Sequence, residues 1–484
     1  MGDLLMKNNK KLWTIVPGLI LLNNIIAIYL SIYTKAFHQD SLQHVHNAWN
    51  HFNGLLVYRD FFEHHGPLYT LFNSFLLSKF DSPASFETLI IFRHYSFFST
   101  LLILCLIFLI AKVFLKKRSL ALLSTTVFTM WHISQSVAVE IRPDLLQTVF
   151  ALLGFYILIR NLNSKQVLRL MLSGCCFGLM ISCNFKSIIL LVALALFFLY
   201  EYYMQREARI LKSGLYLGLG VLFVYGLFAM YFYSQGALKD FLYYNTIFNF
   251  LFSNHWSYGN LGLRYTAIHF AKDFMLCLSA ILGMFSLGLK LKSQRLMIVC
   301  SLLSLYGCFN GLFPHYCIIF LPFISIYAAQ GLNHYLIEKE FNGKRLVILF
   351  LIGLALVTNN IRKTRLVESR RYLGQKKTLE FAVEHFSRDQ AIAAYRRVCP
   401  AYIFNNDIDY FWFESYDIAR VSGKDPFDLQ EFDKLELTER PIVAFMPVFD
   451  DERTRDRHAY FQKHYQRIGP EPFQCIWQSK TLSN

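Results

Sequence analysis

The sequence predicts a polytopic α-helical membrane protein with about eleven transmembrane helices, at roughly 20 residues per span, followed by a small soluble α/β or α+β domain. Three observations lead there. Of 484 residues 55% are hydrophobic and only 17% charged, with mean hydropathy +0.34, against about 25% charged in an ordinary soluble chain. The apolar residues fall in long runs. Lys and Arg, which give a net charge of +15, gather in short clusters between those runs: Lys116-Lys117-Arg118, Lys165 to Arg169, Arg206 to Lys212 and Lys290 to Arg295. Such clusters read as cytoplasmic loops under the positive-inside bias and argue against a nucleic-acid footprint.

The first run, residues 12–33, is long enough to span and ends without a small-x-small cleavage site, so it reads as a signal anchor. Further spans are expected near 86–115, 119–138, 145–160, 168–184, 187–203, 213–233, 267–290, 295–312, 316–334 and 345–360. Lys7, Lys10 and Lys11 set the start on the cytoplasmic side. Residues 34–85, 139–144, 185–186, 234–266, 313–315 and everything after about 360 then lie outside. Residues 1–360 thus form a membrane domain and 361–484 an extracytoplasmic one, in which Thr378 to Phe386 read as helix and Pro441 to Pro447 as strand. Eight of the ten cysteines lie in or beside apolar segments as core residues. Cys399 and Cys475 fall in the tail, where a disulfide can persist.

The first outer loop, 34–85, is too polar to span. Val45, Ala48, Trp49, Phe52, Leu55 and Leu56 recur at helical intervals, which predicts an amphipathic helix lying on the membrane surface, then a short helix from Pro67 to about Lys79. Six of fifteen histidines fall in this loop, yet only Asp40 and His44, one helical turn apart, form a ligand-like pair.

The candidate functional residues all fall on the same face. Asp40, just beyond the first span, either caps the surface helix or serves as a general base. In Glu140-Ile141-Arg142-Pro143-Asp144 the proline starts a helix, so Asp144 sits in its first turn. Arg142 is either an interfacial charge or a phosphate grip, with Asp144 ordering a sugar hydroxyl or a cation. Lys186 interrupts about 35 apolar residues, more than one span needs; it marks a short loop or, if buried, requires an anion. His315 and Tyr316, beside Pro314, suit an interface and equally a phosphate, sugar or metal.

Taken in order, these features resemble the GT-C class of membrane glycosyltransferases, within the branch of the bacterial protein O-mannosyltransferase relatives and the lipid A aminoarabinose transferase. The resemblance runs through Asp40, Trp49, Gly54 to Asp60, His64-His65-Gly66-Pro67-Leu68, Arg142-Pro143-Asp144, Gly178 to Lys186, and Pro314-His315-Tyr316. It implies transfer of a hexosyl or pentosyl unit from a polyprenyl-phosphate donor, usually with inversion, to an envelope acceptor: lipid A, a polysaccharide or a protein. It implies an inner-membrane location with an extracytoplasmic active site, no nucleotide fold and no nucleic-acid partner. The family's catalytic carboxylate carries over to Asp40. Its Lys-Pro-Pro-Leu donor contact carries over to His65-Gly66-Pro67-Leu68, with His65 in place of lysine and Gly66 in place of the first proline. Glu63, His64, Arg142, Asp144, Lys186, His315 and Tyr316 complete the expected donor and substrate contacts. The resemblance also allows a divalent metal, held by Glu63 or His64 with His315. A transporter or flippase of lipid-linked sugars is the competing class; the rim placement of the charges and the lack of a two-fold repeat favour the enzyme.

Overall fold

The computed structural model describes residues 2–81, 85–162, 166–249, 267–287, 291–311, 314–336, 372–381, 383–385, 392–394, 443–445, 463, 465–468 and 476–479. Helices α1 (Gly2–Ser31), α2 (Gln39–Phe52), α3 (Pro67–Leu77), α4 (Phe86–Leu115), α5 (Arg118–Met130), α6 (His132–Val137) and α7 (Pro143–Asn161) form the first half. Helices α8 (Val167–Cys183), α9 (Ile188–Gln205), α10 (Ala208–Ser234), α11 (Leu238–Leu242), α12 (Phe274–Leu287), α13 (Lys292–Gly311) and α14 (Leu321–Leu336) form the second. Among the described residues, five helical segments are long and apolar enough to cross a membrane: Thr14–Ser31, Phe86–Leu115, Pro143–Asn161, Phe185–Gln205 and Ala208–Ser234. The span expected near 295–312 coincides with the 20-residue α13, those near 119–138, 168–184, 267–290 and 316–334 with shorter or broken helices, and 345–360 lies outside the described residues.

The span expected at 119–138 is one such broken helix. Trp131 takes an extended conformation (φ −62°, ψ 130°) between α5 and α6. Its fully buried indole donates to Ser325 Oγ at 2.9 Å. The side chain of Asp273 then accepts from the amide of His132, one of the unpaired amides that open α6.

Close helix packing comes from small residues. A Cβ on Gly174 would lie 2.0 Å from the Leu217 carbonyl oxygen, and one on Gly220 2.2 Å from that of Met171. Helices α8 and α10 therefore touch backbone to backbone, as do α12 and α14 through Gly283 and Gly331.

The largest departure is α2. Expected to lie half-exposed on a membrane surface, it is buried from Ser41 to Trp49, polar residues included. Its apolar stripe meets the core while Ser41, Gln43, His44, His46 and Asn47 face other protein. Buried polar side chains require partners, and those partners form the site described below.

The turn between α1 and α2 is fixed from two sides. Arg93 of α4, 1% exposed, donates to the carbonyls of Ile32 at 2.8 Å and Ala36 at 2.9 Å and stacks on Phe37. It thereby satisfies carbonyls that the end of α1 leaves unpaired. From the tail, Gln375 in the helical residues 372–381 accepts from the amide of Phe37 at 2.7 Å and donates to its carbonyl at 3.0 Å.

Beyond residue 390 four short strands, β1 (Ile392–Ala394), β2 (Val443–Phe445), β3 (Tyr465–Ile468) and β4 (Ile476–Ser479), make a sheet in the order β1-β2-β4-β3. The first pair is parallel and the other two antiparallel. Cys399, Cys475 and the aromatic run Tyr410 to Phe413 lie outside the described residues.

Candidate active site

Loops at one end of the bundle bring Asp40, Arg142, Asp144, Lys186, His315 and Tyr316 together. The opposite end carries Lys116, Lys117, Arg118 and Arg206. Pro143 starts α7 with Arg142 as an extended residue before it (φ −143°, ψ 147°), which turns the guanidinium toward the α1–α2 turn. Arg142, 5% exposed, contacts Asp40 Oδ2 through Nη1 and donates from Nε to Asp144 Oδ2 at 3.1 Å. The acid and the basic group that were expected to act separately thus form a carboxylate–guanidinium–carboxylate triad. Desolvation, the largest single influence, raises the Asp40 carboxyl, but the charge of Arg142 together with the charge and hydrogen bond of His38 outweighs it. Asp40 is held well below the usual carboxylate range. It keeps a quarter of its side chain exposed, so it is reachable.

Glu140 supports this triad from behind. Lys35 pairs with its Oε1, and Ser41 Oγ donates to its Oε2 at 2.7 Å while accepting from the Ile141 amide. Burial is the largest influence and opposes the ionised form, yet Lys35, His38 and Arg93 together hold the Glu140 carboxyl at about 2. The α2 N-terminus carrying Asp40 is thereby tied to the loop carrying Arg142.

Lys186 sits in the single 3-10 turn Phe185–Ser187 that joins α8 to α9. The side chain of Asn184 accepts from its amide, which fixes the turn. Half-buried, Lys186 donates from Nζ to the Tyr316 hydroxyl at 2.6 Å and lies 4.2 Å from the centre of that ring. His315, beside it, is held well below its ordinary range, first by burial and then by the charge of Arg142; Asp40 and Lys186 also act on it. His315-Tyr316 therefore lies between the Asp40–Arg142 pair and Lys186.

The Glu63 to Pro67 segment is a second, buried cluster. Glu63 Oε1 accepts from the amides of His64 and His65, each at 2.9 Å, and is 2.7 Å from His65 Nδ1. Its Oε2 accepts from Asn47 Nδ2 at 2.7 Å. His65 is pushed down to about 4, first by burial and then by His64, against the opposing pull of Glu63. At neutral pH it is an uncharged donor to a buried carboxylate. It therefore does not replace the charge of the lysine that the resemblance expects; among the described residues Lys186 supplies a cation at this end.

The glycine at 66 has a steric reason. A Cβ there would fall 2.1 Å from the Ser182 carbonyl oxygen, and the Gly66 amide donates to the Cys183 carbonyl at 3.1 Å. Proline would have both the Cβ and the missing N–H. Gly66→Ala is accordingly expected to push the His65–Pro67 turn off α8, lowering the Tm in detergent. A wild-type Tm in thermal unfolding would contradict this packing.

Sequence reasoning missed several residues here. The Tyr58 hydroxyl donates to the His65 carbonyl at 2.7 Å, and Asn249 Nδ2 to the His64 carbonyl at 2.7 Å. Tyr58 has positive φ (74°) beside Asp60, whose carboxylate accepts from the Leu56 amide at 2.7 Å. The Tyr-Arg-Asp run is thus the frame of the histidine loop. Asn249 follows a π-helical turn at Tyr243–Ile247, a feature frequent near functional sites. His44, whose sequence partner was Asp40, instead turns its ring toward Glu63 and His65.

Residues 65–251 match the family model of dolichyl-phosphate-mannose-protein mannosyltransferases. No curated protein matches the sequence. Among solved structures, ArnT from Cupriavidus metallidurans in the apo state superimposes with TM-score 0.61 at 12% identity, over 95% of this chain and 96% of ArnT. The same protein bound to undecaprenyl phosphate superimposes with TM-score 0.62 at 11% identity, with the same coverage. The fold is therefore that of ArnT, and the stretch 65–251, less than half of the chain, is similar to the mannosyltransferase family model.

Proposed function

We propose that the protein transfers a sugar from a polyprenyl-phosphate donor to an acceptor hydroxyl on the extracytoplasmic face of the plasma membrane. The observation that supports this most is the placement, at one end of a GT-C bundle, of an accessible carboxylate and three positive or proton-donating groups. Asp40 is the carboxylate; Arg142, Lys186 and Tyr316 are the others. The reaction needs little else, because the phosphate is already a leaving group.

In this reading the acceptor oxygen attacks the anomeric carbon as Asp40 takes its proton. The bond from that carbon to the phosphate oxygen breaks, and the electron pair leaves with the polyprenyl phosphate. Single displacement inverts the anomeric centre. Lys186 and Arg142 stabilise the charge that grows on the departing phosphate. Arg142 has a second part, since a donor phosphate competes with Asp40 for its guanidinium. Loosening that pair raises the basicity of Asp40 when the donor is in place. Asp144 keeps Arg142 aimed in both states, and His315 donates to the phosphate or sugar as a neutral imidazole. Gln375 in the helical residues 372–381 meets the α1–α2 turn beside Asp40; lipid A, a polysaccharide or a protein each suits a hydroxyl acceptor.

Lys186→Met tests the donor contact. Losing one charge-assisted hydrogen bond of about 1.5–3 kcal/mol should weaken polyprenyl-phosphate binding by roughly 10–100-fold, with Lys186→Arg recovering part of it. Unchanged binding of polyprenyl phosphate to Lys186→Met would remove Lys186 from the site.

A further inference from the structure

We propose that Gln375 is a positioning residue for Asp40: the helical residues 372–381 clamp the α1–α2 turn and hold the carboxylate in place against Arg142. This role rests on the transferase reading above, in which Asp40 is the base. Phe37 carries the contact. It lies between the last residue of α1, Ser31, and the first of α2, Gln39, so neither its amide nor its carbonyl belongs to a helix. Phe37 is 5% exposed, and a buried backbone group without a partner is costly. The Gln375 side chain meets both groups at once, accepting from the amide at 2.7 Å and donating to the carbonyl at 3.0 Å. A neighbouring β-strand pairs with a residue in the same way. Among the described residues no other partner reaches either group.

The ring is held as well as the backbone. Arg93 lies 3.6 Å from its centre, Tyr372 stacks on it with centroids 6.3 Å apart, and Phe86 meets it edge-on at 5.6 Å. Tyr372, Gly374, Gln375, Thr378 and Leu379 share one side of the segment at helical spacing, whereas Leu373 and Lys377 are exposed. Thr378 and Leu379 are 2% and 1% exposed. Burial of that side supplies the attraction, and the amide pair sets where on the turn it lands. Asp40 follows Phe37 by three residues. Between them His38 caps α2, its Nδ1 accepting from the Asp40 amide at 3.3 Å. A shift of the Phe37 backbone is therefore passed to the first turn of α2. Arg93 holds the carbonyls of Ile32 and Ala36, which precede Phe37, so the stretch nearest Asp40 depends on Gln375. Arg142 reaches Asp40 from a separate loop, before α7, and a displacement of about 1 Å at such a site costs about 100-fold in rate.

The test uses the full chain in liposomes and Gln375→Met, which keeps the length of the side chain and removes both hydrogen bonds. Amide hydrogen exchange over residues 34–42, measured without donor, should quicken by about 10-fold or more. In transfer assays kcat should fall about 10–100-fold while the affinity for polyprenyl phosphate stays within a few-fold of wild type, a split that general unfolding does not produce. The acid limb of kcat/KM should move toward neutrality. Burial raises the Asp40 carboxyl while Arg142, His38 and His315 lower it, and a looser Arg142 contact lets burial gain. Tyr372→Leu removes the stacking on Phe37 and keeps Gln375; it should give the same changes in smaller size, and it serves if Gln375→Met does not fold. Lys377→Ala, on the exposed side of the segment, should match wild type throughout. Wild-type exchange over residues 34–42 in Gln375→Met would overturn the clamp. Faster exchange with wild-type kcat and acid limb would overturn the positioning of Asp40. A wild-type chain that transfers no sugar would instead count against the transferase reading, with the exchange result still deciding the clamp.

Discussion

Asp40→Asn should leave the protein folded and reduce sugar transfer by about 10²–10⁴-fold, the usual contribution of a positioned general base. Asparagine keeps the shape of the side chain and an oxygen for Arg142, whose other partner, Asp144, is untouched. What it loses is the ability to take a proton. The loss should therefore fall on kcat while the affinity for polyprenyl phosphate stays within a few-fold of wild type. Steady-state transfer assays beside a binding isotherm check this. Transfer at the wild-type rate in a folded Asp40→Asn chain would end the role of Asp40 as base.

Arg142→Gln should cost stability and change its pH dependence. The guanidinium is the shared counter-charge of two carboxylates, Asp40 and Asp144, in a site where Arg142 itself is 5% exposed. Breaking such a pair from one side typically costs about 3–5 kcal/mol, because a charge is left uncompensated. In the wild type Asp40 has a depressed pKa, so its contribution to stability is present above the ordinary carboxylate range and disappears only as pH falls through the lowered folded value. Without Arg142, burial, the largest single influence on Asp40, is opposed only by His38 and His315, and the pKa is expected to rise above the unfolded value. The variant should then lose stability as pH rises through it. The Tm gap between variant and wild type is expected to be widest near neutral pH and to narrow in acid, while the acid limb of kcat/KM moves toward neutrality. A gap independent of pH would show that Arg142 does not set the ionisation of Asp40.

The outline of both fold and site was legible because membranes impose simple rules. Long apolar runs and basic clusters located the helices, and an ionisable residue at a membrane rim is functional often enough to single out Asp40, Arg142 and Lys186. Pairing was not legible. That Arg142 would reach Asp40, 102 residues away, follows from how α7 and α2 pack and not from any local pattern. The buried polar side of α2 was misread for a related reason: an amphipathic stripe shows which side is apolar, but not whether the polar side meets water or other polar protein groups. Trp131 gave no helix-breaking signal, since the break depends on Ser325 of α14 and on Asp273 in the turn before α12, both distant in the chain. Gly66 was seen as a departure from the family pattern; its cause, the Ser182 carbonyl, became visible only once α8 was placed.

The central claim is that this end of the bundle breaks the bond between a sugar and a polyprenyl phosphate. The most direct measurement is mass analysis of products after the purified chain, in liposomes, meets a panel of labelled polyprenyl-phosphate sugars with envelope acceptors. The account predicts free polyprenyl phosphate and an acceptor heavier by one sugar for one member of the panel, both absent with Asp40→Asn. Donor recovered intact on the other side of the bilayer, with no acceptor modified, would contradict it.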